Sequence, residues 1–122
     1  MKELLLTRDW VCWADSLESS NKKIIQIDPE WNINSILKEI LSTNFIPKIS
    51  GDHATWSVAD KNPIAVIAQE WNEPMLICMP DFPYQGTNHF VDLKCLHFNY
   101  HMQIDPNEVY KVLHNYRSAS GM

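Results

Sequence analysis

The stretch Cys95-Leu96-His97-Phe98-Asn99-Tyr100-His101-Met102-Gln103-Ile104 decides the fold. Leu96, Phe98, Tyr100, Met102 and Ile104 alternate with Cys95, His97, Asn99, His101 and Gln103. Side chains of a strand point alternately to its two faces. This period of two predicts a long strand with the first set on a core and the second towards solvent or a partner. Asp105-Pro106-Asn107-Glu108 then supplies a helix start, with Asp105 as N-cap, Pro106 at the first helical position and Glu108 placed for a capping box. Val109, Val112, Leu113 and Tyr116 form the apolar stripe of that helix.

Working towards the N-terminus, Gln26-Ile27-Asp28-Pro29 repeats the Gln103-Ile104-Asp105-Pro106 corner. The sequence around it does not repeat, so shared strand-to-helix chemistry accounts for the echo. Ile33, Ile36, Leu37, Ile40 and Leu41 follow at helical spacing. Asp28-Pro29 is one start for this helix, with Asn32 or Asn34 as later caps, and Thr43-Asn44 ends it. Before it, Glu3 to Thr7 and Trp10 to Ala14 read as strands. Asp15 to Asn21 is an acidic loop that makes Lys23 to Ile27 a hairpin partner. Beyond it, Phe45 to Ile49 is a short run broken by Pro47, an edge or irregular strand. Ala54, Trp56 and Val58 mark a half-buried strand. Ile64 to Ala68 and Met75 to Cys78 read as strands apolar on both faces. Residues 80–89 form the longest irregular stretch.

Strands in series without helical crossovers predict an α+β fold. The expectation is a single domain over residues 1–117 with a tail at 118–122. Its sheet is mainly antiparallel, of about five to seven strands, with two helices packed on one face. A chain of 122 residues is long enough to hold a core without metal or disulfide staples.

Ten basic against fifteen acidic residues give a net charge of −5 and leave no basic cluster beyond Lys22-Lys23. Direct nucleic-acid binding is therefore disfavoured, whereas a basic partner would be attracted and steered. Cys12, Cys78 and Cys95 are odd in number and lack paired spacing, which points to a reducing, cytoplasmic setting. No segment approaches the length of a membrane span. Three glycines leave no phosphate-cradling loop or dinucleotide fingerprint, and no cofactor is expected.

No catalytic residue is assigned from the sequence. The strongest candidate chemistry is the polar face of residues 95–103. His97 and His101 lie roughly 13 Å apart on a regular strand, too far to share one metal unaided, so a solvated or docking face is the simpler reading. A small-molecule or metal-dependent enzyme using His97 and His101, with His89 or Asp92 joining through the fold, is the alternative. A homo-oligomeric subunit is the third. Asp15 with Glu18, and Glu70 with Glu73, fall in connections beside Trp13 and Trp71. Acids next to aromatics in loops are natural docking points. The candidate partner-binding residues are therefore Asp15, Glu18, Glu70, Trp71, Glu73 and Tyr84.

The pieces Val11-Cys12-Trp13-Ala14-Asp15, Ala54-Thr55-Trp56-Ser57-Val58 and Ala65-Val66-Ile67-Ala68-Gln69-Glu70-Trp71 look like parts of short bacterial proteins. The whole profile resembles the immunity proteins of bacterial polymorphic-toxin and contact-dependent inhibition systems. That resemblance implies a small cytoplasmic domain that blocks a basic toxin by binding it. It extends over the general properties of the chain and assigns no residue.

Overall fold

The computed structural model describes residues 2–9, 21–28, 30–43, 45–47, 53–77 and 93–119. In chain order they form β1 (Lys2–Arg8), β2 (Lys22–Ile27), α1 (Ile33–Ser42), β3 (Thr55–Ala59), β4 (Pro63–Ala68), β5 (Met75–Leu76), β6 (Cys95–Tyr100) and α2 (Pro106–Ala119). The six strands make one sheet in the order β2-β1-β6-β3-β4-β5. Four of its five pairings are antiparallel, and β1 runs parallel to β6. This is the expected α+β domain, with a mainly antiparallel sheet and two helices.

β6 sits in the middle of the sheet, between β1 and β3. Leu96 and Phe98 are fully buried and His97 is half-buried. The strand is shorter than expected. It stops at Tyr100, and Met102 takes a left-handed backbone with φ of 58°. Met102 and Ile104 are therefore exposed, against their expected place on the core. The bend is fixed by Thr55, whose N–H donates to Met102 O and whose Oγ1 donates to Ile104 O at 2.6 Å. α2 starts at Pro106 as expected, and Asp105 Oδ1 accepts the Asn107 N–H at 2.9 Å. Its apolar stripe is less covered than expected, with Val109 buried but Val112 and Tyr116 exposed.

α1 contributes one apolar face to the core. Ile33, Ile36, Leu37 and Ile40 are all fully buried, each contributing about 1.5–3 kcal/mol relative to an exposed position. Of the three possible caps, Asn32 is the one used, and its side chain accepts the Ser35 N–H at 3.0 Å. Asp28 instead makes a local turn by accepting the Glu30 N–H.

The register separates two faces. Trp56 and Val58 share a side with Tyr100, Phe98, Ile67 and Ala65, and this side joins Leu4, Leu6 and α1 in the principal core. Ser57 shares the other side with Asn99 and Val66. α2 packs against β4 and touches β3, and the bond from Thr55 to Ile104 brings its leading turn to the Ser57 side. This refines where each helix lies. All six residues of β4 are buried, as a central strand requires.

Two further expectations change, and a third lies outside the described residues. β2 pairs with β1, with Leu4 opposite Ile25, and the expected Trp10–Ala14 strand lies outside the described residues. Met75 to Cys78 was expected as a second central strand. Its described part, Met75 to Ile77, forms only a two-residue edge strand with Met75 exposed, and Cys78 lies outside the described residues. Phe45 to Pro47 forms no strand; Phe45 instead buries its ring edge-on to Phe98, with centroids 6.0 Å apart.

Candidate functional site

Two sites emerge on opposite sides of the sheet. The first is a groove of mixed apolar and polar lining at the end of β4. After Ala68 the chain turns tightly, with the Trp71 N–H donating to Ala68 O at 2.9 Å and the Gln69 N–H to Ala54 O at 2.9 Å. That turn leaves Trp71 half-buried beside a cavity of about 310 Å³ lined by Leu41, Ile46, Pro47, Trp56, Ile67 and Asn72. Ile46 and Pro47 come from the segment that follows α1, whose described residues carry no strand.

Glu70 and Glu73 flank Trp71 and are both exposed, as expected for docking acids. Neither stands alone. His53 Nδ1 lies 3.3 Å from Glu70 Oε2, and Lys38 Nζ, from α1, lies 3.0 Å from Glu73 Oε1. Exposed pairs of this kind contribute little to stability, so their opening on partner binding costs little. Asp15, Glu18 and Tyr84 lie outside the described residues, as do His89 and Asp92.

The second site is the polar side of β6. His97 and His101 are the two histidines the sequence singles out, and the expected helpers His89 and Asp92 lie outside the described residues. No group of three or more metal-ligating side chains occurs among the described residues. Each imidazole instead meets a hydroxyl. His97 Nδ1 lies 2.7 Å from Thr7 Oγ1, and its Nε2 lies 3.0 Å from Asp9 Oδ1. Asp9 Oδ2 also accepts the Tyr100 N–H at 2.9 Å. His101 Nε2 lies 2.8 Å from Ser57 Oγ, which also accepts from Asn99 Nδ2 at 3.4 Å. Burial pushes the pKa of His101 down, and the Asp9 carboxylate partly opposes this. Cys95, on the same side, is a half-buried free thiol.

Sequence reasoning singled out His97 and His101 but missed Thr7, Asp9 and Ser57. The partners lie 90, 88 and 44 residues apart along the chain, and only strand order brings them together. The available signal was local. Thr7 interrupts the apolar run of β1, and Asp9 directly follows it.

No protein-family model, no curated protein and no solved structure matches this chain. No helix among the described residues is long and apolar enough to cross a membrane.

Proposed function

We propose that this chain is a protein-binding module that receives a basic segment of a partner in the Trp71 groove, and that it acts as an immunity protein blocking a basic toxin domain. The observation that carries this reading is the pairing of an aromatic-lined groove with acids on both sides of Trp71. Net charge of −5 draws a basic partner in and sets the encounter rate. An apolar side chain packing against Trp71 supplies the anchor, since buried aromatics dominate binding energy. Lys38 and His53 keep the two acids oriented until partner cations take their place. Inhibition follows from occlusion, so no catalytic group is required.

The test is growth rescue. The chain is co-expressed with a basic toxin domain encoded immediately upstream of its own gene. Rescue by the wild type, lost in Glu70→Lys/Glu73→Lys, is expected. Absence of rescue, or rescue undiminished by the charge reversal, overturns the proposal.

A further inference from the structure

The geometry points to a second activity on the opposite face: an acyl-transfer centre in which Thr7 is the nucleophile, His97 the base and Asp9 its orienting carboxylate, acting on esters that carry an anionic group. The parallel register of β1 and β6 sets Thr7 directly beside His97. Hydroxyl, imidazole and carboxylate then follow in line at 2.7 and 3.0 Å. An alcohol nucleophile needs this order, a base within hydrogen-bond reach and a third group holding the base. The Tyr100 N–H pins the second carboxylate oxygen, so Asp9 is fixed in turn. With Nε2–H directed at Asp9, Nδ1 is left to accept the Thr7 proton.

A tie between β1 and β6 would need only Asp9 on the Tyr100 N–H. The hydroxyl-to-imidazole bond joins two residues that the strand pairing already holds side by side. The side chains of His97 and Asp9 are 40% and 43% exposed, so the relay is open to a substrate. Further along the same face lies a cleft of about 500 Å³ lined by Asp60, Lys61, Lys94 and Cys95. Cys95 stands two residues before His97 on the same face, about 7 Å along the strand. Two ammonium groups against one carboxylate, in an acidic chain, suit an anionic substrate group.

In the first half-reaction Thr7 Oγ1 attacks the ester carbonyl carbon and its proton passes to His97 Nδ1. The carbon–oxygen bond to the leaving group then breaks, and the same proton goes to the departing alkoxide. In the second half, His97 takes a proton from water, the hydroxide attacks the acyl-Thr7 ester, and Thr7 recovers its proton. The sum is ester plus water giving acid plus alcohol.

The test uses the full chain with the 4-nitrophenyl monoester of adipic acid and, for comparison, neutral 4-nitrophenyl acetate. Thr7→Val keeps side-chain shape and removes the hydroxyl; Thr7→Ser keeps a hydroxyl. The expected result is a fall in kcat/KM of roughly 100-fold or more in Thr7→Val and His97→Gln, and less than about 10-fold in Thr7→Ser. An acyl adduct on Thr7 should appear in intact mass spectra, and KM for the anionic ester alone should rise in Lys94→Ala. Circular dichroism verifies that each variant folds. Turnover no faster than that of free imidazole at equal concentration, turnover persisting in folded Thr7→Val, or an unchanged KM in Lys94→Ala overturns the inference. Because this face lies across the sheet from the Trp71 groove, these outcomes do not bear on partner binding.

Discussion

Replacing Phe98 by Ala tests whether β6 is the keystone of the sheet. Phe98 is fully buried, lies between Arg8 of β1 and Val58 of β3, and meets the Phe45 ring edge-on at an interplanar angle of 71°. A buried Phe→Ala change costs about 3–5 kcal/mol, combining lost transfer energy with the cavity left behind. The ring pair accounts for about 1 kcal/mol of that. Arg8, whose Cζ lies 5.7 Å from the Phe45 centroid, loses packing as Phe45 relaxes. A loss of about 4 kcal/mol is a large fraction of the stability of a small domain. In urea, with a slope of about 2 kcal/mol per molar, the midpoint falls by about 2 M. The exposed edge residue Ile24 is the control, and Ile24→Ala should move stability by less than about 0.5 kcal/mol. A loss below about 1 kcal/mol for Phe98→Ala, with the slope unchanged, would refute the central placement of β6.

Three further outcomes are expected. His101 has a lowered folded pKa, so the unfolded chain binds its proton first as pH falls. The stability contributed by the neutral ring is present above its ordinary value of 6.5 and declines as pH falls from there to the lowered value. In urea titrations His101→Gln should flatten that decline relative to the wild type, and an identical pH dependence in both would contradict it. Removing the helix cap with Asn32→Ala should cost about 1 kcal/mol by thermal unfolding. Met102→Gly should stabilise by about 0.5 kcal/mol, because glycine relieves the left-handed backbone strain and loses no packing at this exposed site.

The sequence exposes what depends on local periodicity and hides what depends on distant pairing. The α1 stripe at Ile33, Ile36, Leu37 and Ile40 and the Pro106 start of α2 are both legible. Their signals lie within a turn or two, and so does the burial of β4. The extent of β6 is not legible. Alternation continues to Ile104, yet Thr55 captures the backbone at Met102 and Ile104 and turns the chain. Nor is the parallel pairing of β1 with β6, since nothing local to Leu6 or Leu96 records the other. That one pairing assembles Thr7, Asp9 and His97. For the groove, Glu70, Trp71 and Glu73 are readable as acids around an aromatic. Their neighbours Lys38, His53, Pro47 and Trp56 come from three other segments.

Isothermal titration of the chain with the basic toxin domain tests the central claim most directly, comparing wild type, Trp71→Ala and Glu70→Lys/Glu73→Lys. The account predicts that Trp71→Ala weakens binding by roughly 30-fold or more, as a hot-spot aromatic worth about 2 kcal/mol requires. It also predicts that charge reversal weakens binding and reduces its dependence on salt. Equal affinity for all three folded proteins, at every salt concentration, would contradict it.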